Sequence, residues 1–420
     1  MKLKSLNPEL MPLNSMPAAK GYYYIPPFWG PMFLTRHEER ILDGEEGLGQ
    51  QKAMEILTAL GKIFDAEKLI PINSAHLSGV SYKTIGEGGL QFLDSLKGEA
   101  QVRVKTTLNP AGMDLERWRD MGVNPHFADR QIAIIDSYRS LGVQTCCTCT
   151  PYLHHNVPRL GEHVAWAESN ALSFVNSVIG ARTNREGGPG ALAAAIIGKT
   201  PLYGLHLEEN RHPSVIVEAD IGDDMLSHSL LGQVVGKKLG NAVPYFRGID
   251  PDIDRLKTMA AAMAAAGAIA LFHVEGVTPM DLEYELNDLE RIEVDFSDIE
   301  EAKESLTSGK EPDLIALGCP HLSEVEMREI ATLLETRERK RDIEVWFCTN
   351  RRVKELCPRE VATLEKFGKV VCDTCMVVAP IEDHHECTGT NSAKACNYLP
   401  GLCSQKVVCD TTKGLLELIS

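Results

Sequence analysis

Three short cysteine-containing segments are the parts of this sequence whose residue types and spacing are best suited to chemistry. They are TCCTCTPY at 145–152, GCPH at 318–321 and CDTC at 372–375, and each adjoins a run of residues that predicts a β-strand. A hydrophobic core would not require the polar Thr between the cysteines of the first segment, and Gly and Pro in the second favour a turn that presents its thiol. The sequence therefore predicts thiols at three strand ends, where α/β sheets open their ligand crevices.

These thiols are compatible with several interpretations. The two Cys-x-x-Cys pairs, 146/149 and 372/375, could bind zinc or form a redox pair, but structural zinc pairs usually lie within one small module and more than 200 residues separate these two. The cysteines could also be small core residues, since free Cys often packs as a hydrophobe. One thiolate from each strand end would instead suit an iron–sulfur cluster with an open iron that binds a hydroxy acid, which is dehydratase chemistry.

Three further loops are suited to binding a polar or anionic ligand. Backbone amides of a Gly-rich loop that precedes a helix can hold an anion, and here Arg182 and Arg185 lie in such a loop; the alternative is a surface loop with incidental arginines. Small residues elsewhere permit close main-chain approach, and Asn109 can hydrogen-bond a carboxylate or hydroxyl. The loops are residues 180–190, 74–83 and 107–112.

The elements that would position these loops alternate between strand and helix. Thr35 and Glu38 predict a capping box at the start of the first helix. The apolar patterns predict an α/β fold with mixed or parallel sheets flanked by helices and a cleft between lobes. Strands are predicted at 68–72, 100–106, 142–146, 314–317, 344–348 and 370–378, and helices at 130–141, 162–179, 190–197, 225–237, after Ser323 and after Pro358.

Composition limits the classes of function. The 420 residues exceed what one hydrophobic core usually holds, which predicts two or three lobes. With 43 basic and 59 acidic residues the net charge is −16, which opposes binding to nucleic acid or to an anionic membrane. The longest apolar run, residues 259–272, has 14 residues, short of the roughly 20 that span a bilayer. A buried helix that leads into a strand is the better prediction for this run.

The twelve cysteines are predicted to be thiols or ligands in a cytoplasmic protein, because no secretion signal is evident and cytosolic reductants keep thiols reduced. Repeated prolines interrupt residues 1–33, which we predict to be an irregular leader. An acidic stretch at 281–310 suggests a division into α/β lobes at 34–290 and a carboxyl-terminal α/β lobe at 291–420.

Taken in order, these segments resemble the large subunit of aconitase X, a short and divergent branch of the aconitase superfamily. The resemblance runs from about Leu34 to the carboxyl terminus. It is carried by SAHLSGVSY at 74–82, LNPAGMD at 108–114, CTPY at 149–152, GEHVAWAESNALSFVNSVIGARTNREGGPGALAAAI from 161, YGLHLEENR from 203, GCPH at 318, DTC at 373 and TNSAK at 390.

This resemblance implies a multi-lobed fold like the first three aconitase domains, completed by a separate small subunit that resembles the swivelling fourth domain. It also implies a 4Fe-4S cluster held by Cys149, Cys319 and Cys375, although Cys146, Cys147 and Cys372 lie close enough in sequence to compete. The substrate contacts that it implies are Gly79, Val80, Ser81, Asn109 and Pro110, and Arg182, Arg185 and Lys394 are added as candidate contacts for the anionic group.

The archaeal branch of the family implies dehydration of (R)-5-phosphomevalonate to trans-anhydromevalonate 5-phosphate, in the mevalonate route to isoprenoids. The general base, a serine in this superfamily, is expected on the small subunit, so no residue of this chain is predicted to act as the base. One alternative is the dehydration of cis-3-hydroxy-L-proline, which bacterial relatives carry out. A second alternative is a non-catalytic scaffold that keeps its thiols for zinc.

Overall fold

The computed structural model describes residues 32–279, 284 and 286–420. The predicted leader at 1–33 lies outside the described residues except for its last two. The described chain forms three lobes, each built on its own parallel sheet. No helix in these ranges has the length and apolar character needed to cross a membrane.

The first lobe contains a three-stranded parallel sheet in the order β3-β2-β4 and a small antiparallel pair of β1 and β5. Helix α7 is apolar on all sides and packs between α2 and β2. The elements are α1 Arg36–Leu42, α2 Leu48–Ile63, β1 Leu69–Pro71, β2 Ser74–Leu77, α3 Tyr82–Asp94, β3 Lys105–Leu108, α4 Pro125–Ser140, α5 Pro151–His154, β4 Val164–Trp166, α6 Ser169–Phe174, α7 Gly188–Ile197 and β5 Lys199–Pro201.

The second lobe is a four-stranded parallel sheet in the order β8-β7-β6-β9. Helices α8 and α9 pack closely against each other because Gly232, Gly236 and Gly267 allow their backbones to approach. The elements are β6 Val215–Ala219, α8 Met225–Leu239, β7 Pro244–Arg247, α9 Ile253–Gly267, β8 His273–Val274, β9 Glu290–Val294 and α10 Phe296–Leu306.

The third lobe is a five-stranded parallel sheet in the order β12-β11-β10-β13-β14. The central strand β10 is buried along its whole length, as expected where helices cover both faces. The elements are β10 Leu314–Leu322, α11 Glu324–Leu334, β11 Glu344–Thr349, α12 Arg351–Leu356, α13 Pro358–Leu364, β12 Lys369–Val371, β13 Cys387–Thr390, α14 Ala393–Cys403, β14 Lys406–Cys409 and α15 Thr412–Glu417.

The predicted fold class is confirmed, as is the capping box of Thr35 and Glu38. The single helix predicted at 162–179 is wrong, because its first part is strand β4 and α6 begins only at Ser169. Strand β4 is buried on both faces, so its apolar run has no alternation that would distinguish it from a helix. The strand predicted at 100–106 is displaced to 105–108, and that at 142–146 is reduced to a single bridge of Gln144 with Thr107.

The predicted division after residue 290 falls at the start of β9. This strand pairs along its full length with β6 in the middle sheet, and the sheet of the third lobe begins at Leu314. The division at 290/291 itself stays a prediction.

Candidate active site

Three thiols from two lobes line one cavity of about 180 Å³. Cys149 belongs to the first lobe, and Cys319 and Cys375 belong to the third. Asn109, Pro110, Glu168 and Lys394 line the same cavity, together with Ser169, Gly318, His321, Val377, Val378, Tyr398 and Leu402. The fold therefore brings Cys149 and Cys375, which lie more than 200 residues apart in the chain, to one site.

Cys149 is positioned by contacts that cross between the lobes. It lies two residues before α5, and its thiol accepts a hydrogen bond from the main-chain N–H of His321 at 3.3 Å. The His321 ring is fixed on both sides, with Nδ1 3.1 Å from the Thr148 hydroxyl and Nε2 2.8 Å from the Thr374 carbonyl oxygen. Because a carbonyl only accepts, Nε2 carries the proton. His321 thus connects all three cysteine segments.

Cys319 lies inside β10, at the point where the pairing with β11 shifts between Leu317 and Leu322. Gly318 has a φ of +102°, and a Cβ on it would lie 2.1 Å from the Cys348 carbonyl oxygen, so only glycine fits there. The Cys319–Pro320 peptide bond is cis. This irregular stretch turns the Cys319 thiol from the sheet into the cavity.

Cys375 follows a loop that is bound to the first lobe. Ala111 N–H donates to the Asp373 carbonyl oxygen at 2.7 Å, and Cys375 N–H donates to the Ala111 carbonyl oxygen at 3.1 Å. The Asp373 carboxylate forms an ion pair with Arg351, which also donates to Asp114 at 3.0 Å. The loop that contains Asn109 and the loop that contains Cys375 are therefore held as one unit.

The polar wall of the cavity is an ion pair of Glu168 and Lys394, both largely buried. Glu168 also accepts from Asn109 Nδ2 at 2.8 Å. Burial raises the pKa of Glu168, but the adjacent Lys394 ammonium and the Asn109 amide bring it below its ordinary value. Burial opposes the charge of Lys394, yet Glu168 raises its pKa. Both groups are thus charged at neutral pH beside the thiols.

Burial dominates the electrostatics of the thiols. It raises the pKa of Cys149 to about 12, while Lys394 acts in the opposite direction. Burial likewise raises the pKa of Cys319 and Cys375, and for Cys375 the nearby Cys319 and Cys149 raise it further. Without a metal these side chains are neutral thiols. Over residues 32–279, 284 and 286–420, no three His, Cys, Asp or Glu side chains are grouped so as to hold a single metal ion.

The three competing cysteines are placed elsewhere. Cys147 packs in the core of the first lobe, the Cys146 thiol faces the Leu108 carbonyl oxygen at 3.6 Å, and Cys372 is fully buried. The lining of the thiol cavity includes none of these three among the described residues. The structure therefore brings together the three cysteines that the resemblance implied and separates the three competitors from them.

The predicted ligand loops fall into two groups. Asn109, Pro110 and Lys394 line the thiol cavity. Ser81 lies behind its wall, since its buried hydroxyl donates to the Val378 carbonyl oxygen at 2.8 Å, and Gly79 and Val80 accept from Tyr138 and Gln131 through their carbonyls. The adjacent loop thus reaches the cavity through Val378.

The two arginines are not brought to the thiols. Arg182 lines a second cavity, where it pairs with Glu208, and Arg185 donates to the Ala264 carbonyl oxygen at 3.1 Å. Their assignment to substrate stays a prediction.

Sequence reasoning gave no role to Glu168, His321 or Arg351, although the first two line the cavity and Arg351 pairs with Asp373 in the loop that precedes Cys375. Glu168 lies in the AESNAL stretch, directly after a buried strand, where a carboxylate is a candidate ligand contact. His321 directly follows the Cys-Pro turn. The role of Arg351 could not be predicted from the sequence, because its two carboxylate partners lie 237 and 22 residues away in the chain.

These observations define a class of protein with three α/β lobes and a thiol-lined cavity between the first lobe and the third. The chain matches the aconitase X first domain at residues 31–209, the second at 213–304 and the third at 312–419. It belongs to the aconitase X family.

Similar proteins are consistent with that membership. The phosphomevalonate dehydratase large subunit of Methanothermobacter thermautotrophicus is 51% identical over 92% of this chain and 99% of its own length. A crystal structure of Thermococcus kodakaraensis aconitase X in its holo-form is 44% identical, with a TM-score of 0.87 over 93% of this chain and 100% of that one. The cis-3-hydroxy-L-proline dehydratase of Pseudomonas aeruginosa is more distant, 35% identical over 91% of this chain and 69% of its own length.

Proposed function

We propose that this chain is the large subunit of a hydro-lyase that removes water from (R)-5-phosphomevalonate to give trans-anhydromevalonate 5-phosphate. Relatives with that name align over almost their whole length and are more similar to the chain than the cis-3-hydroxy-L-proline dehydratases are. The chain would then act in the cytoplasm, within the mevalonate pathway.

The cofactor of this proposal is a 4Fe-4S cluster bound through Cys149, Cys319 and Cys375. The donor set fits such a group, because three unpaired thiols from separate segments line one cavity of about 180 Å³. When bound, such a cluster supplies an open iron that acts as a Lewis acid on the substrate hydroxyl and carboxylate. Cys146, Cys147 and Cys372 are not proposed as ligands.

The roles of this chain's own residues follow from the cavity wall. The Lys394 ammonium would attract the anionic substrate, and Glu168 and Asn109 fix its position through the contacts described above. Pro110 also lines the cavity, and the 79–81 loop would support the wall from behind through the contact of Ser81 with Val378. The substrate phosphate would be bound near this loop, where Gly79 permits a close main-chain approach at a φ of +79°.

Proton abstraction is assigned to a partner. The only carboxylate in the lining of the cavity, among the residues described, is Glu168, and its ion pair with Lys394 makes it a weak base. We propose a small subunit that resembles the aconitase swivelling domain, closes this cavity and contributes the base. The words "large subunit" in the names of the relatives support such a partner.

One observation carries this proposal: the thiols of Cys149, Cys319 and Cys375 meet in a cavity that also contains a buried lysine. The test is anaerobic co-expression with the small subunit, followed by iron and sulfide analysis and assays with both candidate substrates. We expect iron, sulfide and turnover of phosphomevalonate. Turnover of cis-3-hydroxy-L-proline alone would contradict the substrate assignment, and zinc without sulfide would support the scaffold.

Two cysteine variants make the test specific. Cys319→Ala should leave a folded heterodimer without the cluster absorbance and without turnover. Cys357→Ala is the matched control, because Cys357 is also buried but packs in the core of the third lobe and is not in the lining of the cavity. Full turnover in Cys319→Ala would refute the role of the thiol cavity.

A further inference from the structure

A second cavity, of about 260 Å³, lies at the opposite end of β4 from the thiol site. Glu168 follows the carboxyl end of β4, whereas the bridge of His163 with Arg182 precedes its amino end. The lining of this second cavity includes Leu160, Arg182, Glu208, Arg211, His273 and Tyr284. It is therefore separate from the proposed catalytic site.

Among the described residues that line this cavity, Arg182 and Arg211 face one carboxylate, Glu208, which leaves one positive charge in excess. Arg182 forms an ion pair with Glu208, which also accepts from the Tyr284 hydroxyl at 3.0 Å. Arg211 is only 6% exposed, and its guanidinium donates to the carbonyl oxygens of Leu205 at 3.2 Å and Asn176 at 3.0 Å.

Within the described part of the chain, Arg211 forms no ion pair of its own. Burial and the neighbouring Arg182 lower the pKa of Arg211 to about 10, which still leaves it charged at neutral pH. A buried charge without a counter-ion is costly, so an anion in the cavity would be stabilising.

His273 adds an acceptor to the same wall. Its Nε2 lies 3.0 Å from the Arg211 carbonyl oxygen, which can only accept, so Nε2 carries the ring proton. The other nitrogen, Nδ1, is buried and has no hydrogen-bond partner among the described residues. Burial lowers the pKa of His273, which keeps Nδ1 unprotonated. A ligand that satisfies this wall must combine negative charge with an O–H donor.

We propose that this cavity binds a phosphate group, either inorganic phosphate or the phosphate of a small monoester. Phosphate oxygens accept hydrogen bonds from guanidinium groups. With a second pKa near 6, part of the phosphate keeps an O–H at neutral pH, which can donate to His273 Nδ1. The volume lies below the roughly 300 Å³ of most ligand clefts, which favours a small anion. The proposal is independent of the proposed dehydratase function.

The test is isothermal titration calorimetry of the full chain with inorganic phosphate and with glycerol 3-phosphate, at pH 7 and low salt. We expect one site, and the tighter ligand identifies the source of the phosphate. Leu160 is 71% exposed at the edge of the cavity, so Leu160→Glu should repel the anion and weaken binding by about tenfold without disturbing the fold. Val157→Glu is the matched control, since Val157 is 60% exposed but absent from the lining.

Two further variants locate the site. Arg211→Gln should abolish binding if circular dichroism shows that it folds, whereas Asn109→Ala, in the thiol cavity, should bind as the wild type does. The proposal is overturned if neither ligand binds, if Leu160→Glu binds as tightly as Val157→Glu, or if Asn109→Ala loses the site. Equal affinity for sulfate, which has no O–H at neutral pH, would also overturn it.

Discussion

The main-chain N–H of Ala111 donates to the carbonyl oxygen of Asp373 across 2.7 Å, although 262 residues separate the two in sequence. This contact joins the loop with Asn109 and Pro110 to the loop that ends in Cys375. It makes the geometry of the cavity depend on the docking of the first lobe against the third. Side chains behind the cavity wall should therefore affect the site as strongly as those that line it.

Arg351 is the first such side chain, because it pairs with the buried carboxylates of Asp373 and Asp114. Arg351→Ala should lower the free energy of unfolding by about 2 kcal/mol, since two buried charges lose their partner while Arg351 itself is partly screened by solvent. Burial already raises the pKa of Asp373 to about 6, with Arg351 opposing it. The loss of stability in Arg351→Ala should therefore be larger above pH 6. There the Asp373 carboxyl of the wild type is ionised beside Arg351, whereas the variant must bury the same charge without its partner.

Urea denaturation at pH 6 and pH 8 measures this effect. Arg352→Ala is the matched control, because the neighbouring Arg352 is exposed and pairs only with Glu355 among the described residues. The free energy of unfolding of Arg352→Ala should differ from that of the wild type by no more than about 0.5 kcal/mol. Equal losses in the two variants would argue against the bridging role of Arg351.

Lys394 provides a prediction about turnover. Lys394→Met removes the buried cation that faces the thiols and leaves Glu168 unpaired. We expect kcat/KM for phosphomevalonate to fall by about a hundredfold or more, because a charged donor in a buried site is lost. Iron and sulfide content should stay near the wild-type value, and Lys394→Arg should recover part of the activity. Loss of the cluster in Lys394→Met would instead assign Lys394 to cofactor retention.

Lys257 connects the second lobe to the segment that contains Cys319. It is completely buried, pairs with Asp254 at 2.9 Å and with Glu326, and donates to the His321 carbonyl oxygen at 3.2 Å. Burial opposes its charge, but Glu326 and Asp254 together raise its pKa. Lys257→Met should destabilise the protein by about 3–5 kcal/mol, because both carboxylates lose their counter-ion.

Thermal unfolding of the purified chain measures this loss, with Lys237→Met as the control on the exposed face of α8. An unchanged melting temperature in Lys257→Met would contradict the role of Lys257 as the counter-ion of the two carboxylates.

Glu186 predicts a pH dependence of stability. This side chain is 6% exposed, its Oε1 has no hydrogen-bond partner in the described part of the chain, and burial raises its pKa from 4.5 to about 7. A carboxyl whose pKa is raised on folding contributes its full stability below pH 4.5 and loses it as the pH rises to about 7.

Glu186→Gln removes this titration. The free energy of unfolding of the variant should therefore rise relative to that of the wild type between pH 5 and pH 8, by up to about 3 kcal/mol. Urea denaturation at both pH values checks the sign, and a constant difference between the two proteins would mean that Glu186 is already ionised at pH 5.

The sequence by itself determined the α/β class and the capping box of α1. These features depend on local periodicity and on the conformations of Gly and Pro, which a short window of residues contains. The sequence did not determine the strand-end position of the cysteines, because Cys319 lies inside β10 and only the bridge of Gln144 stands where a strand before Cys149 was predicted. The motifs, read in order, also determined the family. The sequence did not reveal strand β4, because a short strand that is buried on both faces has no alternation of apolar and polar residues.

Tertiary structure decided which thiols meet. Five cysteines form one triplet and one pair along the chain, and only the docking of the first lobe on the third selects Cys149 and Cys375 to join Cys319 in the cavity. It also decided that Arg182 lies at the far end of β4 from the thiols, and that Glu168 faces Lys394. Such contacts join residues more than 200 positions apart, and their energy depends on burial and on partners that local sequence does not encode.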